Sequence, residues 1–330
     1  MNPVEIPDVA YFRGKRAFVA GGAGFLGSWL CETLIKSGAD VVCVDNLATG
    51  LEQNISDLKG RRNFVFEKLD IAEKALDEDV DLIFHFASRA SPEEYQQHPV
   101  ETLLANSDGT RRILDTARKC GARVIYASSS EVYGHPTVVP TPESYWGLVN
   151  SVGPRSCYDE GKRFGEALCM AYVRAYDTDV RIARIFNTYG PRIRGDGAYA
   201  RSASRFIFQA LRGQPLTIYG DGKQTRSFCY VTDTVSALLQ TASTELAKGE
   251  VLNIGNPHET TILALANLVS KLVGGRREIT YGPLPPDDPP RRCPDISKAR
   301  TILRWEPRVG LEEGLAKTIQ WFKENMEVAK

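Results

Sequence analysis

The chain has no long apolar segment and no excess of charge of either sign. Its 330 residues include 41 Lys and Arg and 41 Asp and Glu, so the formal net charge at neutral pH is zero. A balanced charge argues against a general partner such as nucleic acid or an anionic membrane surface. No uninterrupted apolar run reaches the roughly 20 residues that a membrane-spanning helix needs. The sequence therefore predicts a globular protein without a nucleic-acid or membrane partner.

Cysteine and histidine patterns typical of metal centres are also missing. None of the seven cysteines forms a C-x-x-C pair, and the four histidines are scattered without ligand spacing. We therefore expect no metal site. An odd number of scattered cysteines is typical of a reducing compartment, and the N-terminal residues do not resemble a signal peptide. These features predict a cytoplasmic protein.

A glycine-rich turn follows the first predicted strand, Ala17–Ala20, and precedes a helical pattern. Its glycines are Gly21, Gly24 and Gly27. Such spacing lets the backbone approach a pyrophosphate, and the helix directs the positive end of its dipole toward that group. The next predicted strand ends at Asp45. A carboxylate about 20 residues beyond the glycines can accept hydrogen bonds from an adenosine ribose and repel a 2′-phosphate. The sequence therefore predicts NAD as the cofactor, in preference to NADP.

Short apolar segments alternate with helical patterns through the first half of the chain. This alternation is typical of a doubly wound parallel sheet, so we predict an α/β Rossmann fold with a smaller C-terminal α/β substrate domain. After residue 190 the loops become richer in Gly, Pro and Arg. We therefore predict a Rossmann domain over 1–190 and a substrate domain over 191–330, with 226–255 as a candidate return to the first domain. The predicted strands are Ala17–Ala20, Val41–Val44, Phe64–Glu67, Leu82–Phe86, Val124–Ala127 and Val180–Arg184.

The segment Tyr158-Asp159-Glu160-Gly161-Lys162 places a phenol and an ammonium four residues apart. On a helix these positions lie on one face, so the two side chains can converge. A nearby ammonium favours the phenolate and draws a pKa ordinarily near ~10 toward the working range of a base. A lone pair with this spacing occurs often by chance, but here it accompanies a dinucleotide turn. We therefore predict that Tyr158 is a catalytic base and that Lys162 is its partner.

A serine cluster with a glutamate follows the predicted strand Val124–Ala127. Its sequence is Ser128-Ser129-Ser130-Glu131-Val132-Tyr133-Gly134. It lies at the carboxyl end of a predicted parallel strand, where open α/β sheets bind their ligands. Taken alone, the serines could cap a helix and the glutamate could lie on the surface. Together with the two elements described above, the cluster becomes a candidate part of the site.

Several segments together resemble the extended short-chain dehydrogenase/reductase superfamily, in its nucleotide-sugar branch. Within that branch the chain is similar to the UDP-glucuronate decarboxylase (UDP-xylose synthase) family, and the segment around Tyr158 is the most specific match. The family usually has Thr, Pro, Asn and Lys where this chain has Ser129, Arg89, Arg205 and Cys293. The matching segments extend over nearly the whole chain and are Ser130–Gly134, Gly153–Arg163, Arg184–Arg192, Gln224–Phe228 and Arg291–Ile296.

The resemblance implies an NAD-dependent decarboxylation of UDP-glucuronate to UDP-xylose. Tyr158 would take the proton from the sugar 4-hydroxyl while C4 loses a hydride, and Ser129 would hold the same oxygen. Lys162 would also bind the nicotinamide ribose. The resulting 4-ketone is β to the C6 carboxylate, so CO₂ would leave readily with formation of an enolate. Glu131 and Arg292 would handle the carboxylate and the protonation of C5.

The predicted site therefore contains three groups of residues. The predicted catalytic residues are Ser129, Glu131, Tyr158, Lys162 and Arg292. The predicted cofactor-binding residues are Gly21, Gly24, Phe25, Leu26, Asp45, Asn46, Asp70, Ile71, Ala87, Ser128, Tyr158 and Lys162. The predicted substrate-binding residues are Ser130, Asn187, Arg205, Tyr219, Arg226 and Arg292. Within the last group, the diphosphate is assigned to Asn187 and Arg226 and the uridine to Tyr219.

Four other functions are compatible with such a fold. Release of the UDP-4-keto-pentose requires only that the reduced cofactor leave early. A 4,6-dehydratase needs a carboxylic acid immediately before Glu131, and the hydroxyl of Ser130 cannot replace it. A 4-epimerase has no need of Glu131. A non-catalytic NAD-binding protein is disfavoured by the joint presence of Ser129, Tyr158 and Lys162.

Two predicted helices, Pro99–Lys119 and Tyr158–Tyr176, carry more apolar residues than one core-facing stripe requires. Related enzymes pair two such helices from each subunit into a four-helix interface. We therefore predict a homodimer. The surplus apolar residues include Leu103, Leu104, Leu168 and Met170.

Overall fold

The structure, a computed structural model, describes residue 4 and residues 8–74, 79–195 and 201–325. Strands and helices alternate through its first half. The strands are β1 (Arg16–Ala20), β2 (Asp40–Asp45), β3 (Phe64–Lys68), β4 (Leu82–His85), β5 (Arg123–Ser129), β6 (Val180–Ile185), β7 (Thr188–Tyr189), β8 (Leu216–Tyr219), β9 (Thr225–Ser227), β10 (Cys229–Tyr230), β11 (Val251–Ile254), β12 (Glu259–Thr261), β13 (Ile279–Gly282) and β14 (Arg291–Arg292). The helices are α1 (Val9–Phe12), α2 (Phe25–Lys36), α3 (Pro92–Gln97), α4 (Pro99–Leu104), α5 (Thr110–Cys120), α6 (Ser156–Tyr176), α7 (Ser202–Leu211), α8 (Val231–Ser243), α9 (Ile262–Val273), α10 (Ser297–Leu303) and α11 (Leu311–Glu324).

Seven strands form one sheet in the order β3-β2-β1-β4-β5-β6-β11. Every pairing in this sheet is parallel, and the order reverses between β1 and β4. In such sheets, ligands bind beyond the carboxyl ends of the strands at the point of reversal. The predicted Rossmann fold is confirmed, and the reversal lies directly beside the glycine-rich turn that follows β1.

The strands of this sheet bury side chains on both faces. In β2, the side chains of Val41 and Cys43 pack into one apolar cluster, whereas those of Val42 and Val44 pack into a second. Successive residues of a strand point to opposite faces, so one short apolar run contributes to both layers. A continuous run of branched apolar residues is therefore typical of a parallel sheet covered by helices on each side.

The six predicted strands of the sheet are all present, with small shifts of their ends. The seventh strand, β11, pairs with β6. It lies within residues 226–255, the segment named above as a candidate return to the first domain. The division into residues 1–190 and 191–330, with this return, stays a proposal about domain organisation.

The helix predicted over Pro99–Lys119 is present, and its backbone stays helical from α4 into α5. A wider turn with π-type hydrogen bonds, Ala105–Gly109, joins the two helices. The sequence pattern did not indicate this local widening. Asn106 lies against Gly161 of α6, where an added Cβ would be 3.3 Å from the Asn106 Cβ. Turns of this kind are frequent at functional sites.

Three smaller sheets are formed by β7 and the strands that follow it, except β11. They pair β10 with β7, β9 with β12 and β14, and β13 with β8. Because β7 follows β6 almost directly, these sheets begin at the carboxyl edge of the central sheet. They correspond to the smaller C-terminal part of the predicted fold. Among the helices that the structure describes, none is long and apolar enough to cross a membrane.

Candidate active site

A cavity of about 320 Å³ lies at the carboxyl ends of β1, β2, β4 and β5. Every residue predicted to bind the cofactor contributes to its lining, and so does the predicted catalytic Ser129. The fold thus brings these residues together from segments that are distant in sequence. Their roles toward a cofactor stay predictions, which the contacts described below support.

The glycine-rich turn forms one wall of the cavity. Gly21 has a φ of 79°, and an added Cβ would lie 2.7 Å from the Phe86 carbonyl carbon. A Cβ at Gly27 would collide with the Gly21 carbonyl oxygen. Helix α2 begins at Phe25 without a side-chain cap, and Phe25 lines the cavity. Because the N-cap residue is Gly24, no capping side chain stands between the start of α2 and the cavity, and the turn fits a pyrophosphate.

Asp45, at the end of β2, is held by backbone amides. One carboxylate oxygen accepts a hydrogen bond from the Ala23 N–H at 3.0 Å and the other from the Leu47 N–H at 2.8 Å. Burial raises the pKa of Asp45 above its ordinary value, although these amides oppose the shift. The neighbouring Asn46 donates to Asp70 at 2.7 Å. These bonds hold both carboxylates where the sequence predicts the adenosine end of the cofactor.

Tyr158 and Lys162 project from the first two turns of α6. The Lys162 ammonium lies 5.8 Å from the centre of the Tyr158 ring and donates to the Ala127 carbonyl at 2.8 Å. The ring of Tyr95 stacks on that of Tyr158 with centroids 5.0 Å apart. The Ser129 hydroxyl is close enough to the Tyr158 side chain to lower the pKa of that phenol. The structure thus brings together the predicted catalytic residues Ser129, Tyr158 and Lys162.

The electrostatic environment of Tyr158 differs from the prediction in one respect. Burial raises the pKa of Tyr158, and the cation that opposes this most is Arg201 rather than Lys162. Burial also lowers the pKa of Lys162 to about 7, because an ammonium is poorly solvated inside the protein. Sequence spacing places the two side chains on one helical face, but it does not reveal how strongly each is desolvated.

An ion pair that the sequence analysis missed supports the carboxyl end of β5. Arg184 on β6 donates to both carboxylate oxygens of Glu166 on α6, at 2.9 and 2.7 Å. Ser128 donates to the same carboxylate at 2.5 Å, and Arg184 also donates to the Tyr133 hydroxyl at 2.9 Å. This network ties the serine segment to the helix that carries Tyr158.

Glu131 and Arg292, which the resemblance singled out, form a buried ion pair. Glu131 lies in the short 3₁₀ turn after β5 and pairs through one oxygen with Arg292 and through the other with Arg155. Burial alone would raise the pKa of Glu131, but the two guanidinium groups outweigh it and hold that pKa well below its ordinary value. Glu131 is close enough to Tyr158 to contribute to the raised pKa of that phenol.

Arg155 connects this ion pair to further charges. Its Nε lies 3.7 Å from Asp159, and its Nη1 lies 3.9 Å from Asp288. Asp288 in turn pairs with the predicted substrate residue Arg226 at 2.7 Å. Burial raises the pKa of Asp159 to about 7, and the neighbouring Glu131 carboxylate adds to the shift. The sequence analysis gave no role to Arg155 or Asp288, because no local pattern connects them.

The other predicted substrate residues lie outside the lining of the cavity. The Arg205 guanidinium stacks over the Tyr219 ring, with its central carbon 4.6 Å from the ring centre. Ser130 is buried at the start of the turn that carries Glu131. Asn187 accepts a hydrogen bond from the Cys229 amide through its backbone carbonyl. Their assignment to a nucleotide sugar stays a prediction.

Four arginines that the predicted site did not include line the cavity, namely Arg89, Arg192, Arg194 and Arg201. Arg89 pairs with Glu94 at 2.8 Å, and both side chains are largely buried. Arg201 donates to the Ala90 carbonyl at 2.6 Å. The arginine-rich composition after residue 190 was the available signal for Arg201, but it does not say which arginines face a cavity.

Cys293, a departure from the family pattern, is a buried core residue that donates to the Pro257 carbonyl at 3.2 Å. All seven cysteines are free thiols. Within the part of the chain that the structure describes, no group of three or more His, Cys, Asp or Glu side chains is arranged to hold a metal ion.

Comparison with known proteins agrees with this geometry. Residues 17–255 match the sequence profile of the NAD-dependent epimerase/dehydratase family. The chain is 48% identical over 314 residues to UDP-glucuronic acid decarboxylase 1 of Danio rerio, which covers 95% of this chain and 74% of that protein. The similarity therefore includes the glycine-rich turn, the serine segment, α6 and the region of Arg292.

Solved structures share the same architecture. An epimerase from Methanothermobacter thermautotrophicus superposes with a TM-score of 0.91 at 32% identity, covering 98% of this chain and 96% of that chain. UDP-glucuronic acid 4-epimerase from Bacillus cereus, solved with UDP-glucuronic acid and NAD, gives a TM-score of 0.84 at 30% identity, covering 94% and 99%. The chain belongs to the NAD-dependent epimerase/dehydratase family, and its similarity over nearly the whole length places it with the UDP-glucuronic acid decarboxylases of that family.

Proposed function

We propose that this chain decarboxylates UDP-glucuronic acid to UDP-xylose through a 4-keto intermediate, with NAD as a recycled cofactor. The observation that carries the proposal is the position of Glu131, which lies near Tyr158 and is held between Arg292 and Arg155. An ionised carboxylate paired with an arginine, close to the base, suits a substrate whose own carboxylate is next to the carbon that must be protonated.

NAD is the cofactor of this family, and the cavity residues fit it. Gly21 and Gly27 leave no room for a Cβ where the turn approaches the cavity. Among the residues that the structure describes, none is a hydrogen-bond partner for the buried Oδ1 of Asn106, and the amide nitrogen of the same side chain donates to Ser88 at the cavity wall. When bound, NAD would accept a hydride from the sugar C4 and later return it.

Tyr158 would remove the proton of the sugar 4-hydroxyl during oxidation at C4. Its side chain is buried, and both the positive charge of Arg201 and the nearby Ser129 hydroxyl favour the phenolate. Ser129 would hydrogen-bond the same sugar oxygen. Because Lys162 is fixed to the Ala127 carbonyl, its ammonium stays beside the base, where it would also bind a ribose hydroxyl.

Decarboxylation follows from the chemistry of the ketone. A carboxylate β to a carbonyl loses CO₂ readily, since the electron pair of the broken bond moves into an enolate. Tyr158 and Ser129 would then stabilise the negative charge that develops on the 4-oxygen. Donors that are already in place stabilise such a charge better than water does, because they need not reorganise.

Glu131 and Arg292 would act on the other side of the reaction. Arg292 would pair with the sugar carboxylate before CO₂ leaves, and Glu131 or Arg292 would relay a proton from solvent water to C5. We assign the diphosphate to Arg226 and Asn187 and the uridine to the stacked pair of Tyr219 and Arg205. These binding assignments rest on the family resemblance and on the stacking of Arg205 over Tyr219.

The direct experiment is incubation of the NAD-loaded protein with UDP-glucuronic acid. Release of CO₂ together with a nucleotide sugar of the mass of UDP-xylose would support the proposal. A product that keeps the carboxylate but is inverted at C4 would contradict it in favour of an epimerase. Accumulation of the 4-keto-pentose nucleotide would show that the reaction stops before the second hydride transfer.

We also propose a cytoplasmic homodimer. Leu103 and Leu104 on α4 are each 42% exposed, and Phe164 on α6 is 51% exposed. Leu168 and Met170 instead pack partly against the second core cluster. The exposed apolar side chains support pairing of α4 and α6 with a second copy, and light scattering at micromolar concentration would test it. The free thiols support a reducing compartment.

A further inference from the structure

Arg155 is placed where it can hold several carboxylates at once. It directly precedes α6 and is only 6% exposed. Three different nitrogens of its guanidinium face Glu131, Asp159 and Asp288. A guanidinium carries five N–H donors in a fixed fork, so these contacts do not exclude one another. Neither the cofactor cavity nor the roles assigned above account for this residue.

Two of these carboxylates also hold the arginines assigned to the substrate. Glu131 pairs with Arg292, and Asp288 pairs with Arg226 at 2.7 Å. To bind the sugar carboxylate, Arg292 must turn part of its charge from Glu131 to the substrate. A buried carboxylate that loses a partner is costly unless another cation compensates it. Arg155 already occupies the second oxygen of Glu131 and can provide that compensation.

We propose that Arg155 is a positioning residue that keeps Glu131 ionised and oriented while Arg292 turns to the carboxylate of the substrate. The inference rests on the proposed function, since it requires a sugar nucleotide with a carboxylate. Without Arg155, Glu131 would depend on Arg292, and the substrate would have to compete with Glu131 for that guanidinium. Arg155 would thus favour carboxylated substrates without touching them.

The test compares two ligands that differ by the carboxylate, UDP-glucuronic acid and UDP-xylose. Affinities are measured by calorimetry on NAD-loaded Tyr158→Phe protein, in which turnover is expected to be about 10²-fold slower or more. Adding Arg155→Met should lower the affinity for UDP-glucuronic acid about tenfold more than that for UDP-xylose. A merely structural role would weaken both ligands equally. If loss of Arg155 tightens the pairing of Asp288 with Arg226, the affinities for both ligands fall together, because both carry the diphosphate.

A second background shows whether Arg155 acts through Glu131. In protein that already carries Glu131→Gln, the Glu131 carboxylate no longer competes for Arg292. Adding Arg155→Met should then leave the ratio of the affinities for UDP-glucuronic acid and UDP-xylose unchanged within about twofold. Arg123 provides a matched control, since it also pairs with two carboxylates, Asp179 at 2.7 Å and Glu245 at 2.6 Å. It lies at the opposite end of β5, and Arg123→Met should not change the ratio.

Two further variants complete the design. Arg155→Gln has no charge but keeps hydrogen-bonding groups, and it replaces the Met variant if that protein does not fold. Arg155→Lys restores a cation and should return the affinity ratio toward the parent value. An unchanged ratio in the uncharged variant, or an equal change in the Glu131→Gln background, would overturn the role of Arg155. Failure of the Tyr158→Phe protein to bind either sugar nucleotide would instead contradict the proposed function.

Discussion

The cofactor cavity and the charge cluster around Glu131 are built in different ways. In the cavity, backbone groups set the geometry: amides hold Asp45, and a carbonyl holds Lys162. In the charge cluster, side chains hold one another, and Glu131 has a guanidinium on each oxygen. The cofactor cavity is ready to receive a ligand. In the charge cluster, Arg292 and Arg226 must turn from Glu131 and Asp288 to the anions of a ligand.

This difference follows from what each region would bind. A dinucleotide is recognised largely by backbone approach and by a helix N-terminus, neither of which carries a full charge that must be neutralised when the site is empty. A substrate with a carboxylate and a diphosphate needs buried arginines. Buried arginines are stable only if carboxylates pair with them. In the proposed function, Glu131 and Asp288 therefore pair with the arginines that the substrate anions would occupy.

The largest effect is expected where the two regions meet, at Tyr158. Tyr158→Phe removes the ionisable oxygen and keeps the ring that stacks on Tyr95. Turnover of UDP-glucuronic acid should fall by about 10²-fold or more, the usual contribution of a general acid–base group. NAD binding, followed by its absorbance in the purified protein, should be kept. Near-normal turnover would remove Tyr158 from the role of base.

Replacing Glu131 should separate the charge cluster from the cavity. Glu131→Gln keeps the size and a hydrogen-bonding oxygen but removes the charge between Arg292 and Arg155. We expect CO₂ release to slow by about 10- to 100-fold, with little change in NAD affinity. The matched control is Glu94→Gln, which removes a buried carboxylate paired with Arg89 at the cavity. If the two variants lost CO₂ release equally, Glu131 would have no specific part in the chemistry.

Asp45 tests the cavity side of the comparison. The parent should prefer NAD to NADP, and Asp45→Asn should reduce this preference by about tenfold, because the repulsion of the 2′-phosphate is lost. Titration of cofactor-free protein with both dinucleotides measures it. Asp40→Asn changes an exposed carboxylate at the other end of β2 and serves as the control. Equal affinity of the parent for both cofactors would contradict the assignment of Asp45 to the ribose.

The smallest effect is expected on stability, at Asp159 in the charge cluster. Burial raises its folded pKa from 3.8 to about 7, so the folded state keeps this proton when the unfolded state has lost it. The stability that this group contributes is therefore present below its unfolded pKa and is lost as the pH rises toward 7. Asp159→Asn should gain thermal stability relative to the parent between about pH 4 and 7. A constant difference in melting temperature across this range would contradict the shifted pKa.

Local patterns predicted the parts of the molecule that depend on local structure. The six strands appear where apolar runs predicted them, and the cofactor residues line one cavity. The wider turn at Ala105–Gly109 was not predicted, because it depends on packing against α6 and not on the residues of the helix itself. The desolvation of Tyr158 and Lys162 was missed for a related reason, since burial depends on what the fold places above them.

The sequence by itself determined the Rossmann fold, the glycine-rich turn with Asp45, and the shared helical face of Tyr158 and Lys162. Each of these depends on spacing within one or two adjacent elements, and spacing is what a sequence displays. Only the tertiary structure decided that Arg155 stands between Glu131 and Asp288, and that Arg292 reaches Glu131. Such pairs join segments far apart in the chain, and each charge is stable in the interior only because the complete fold supplies its partner.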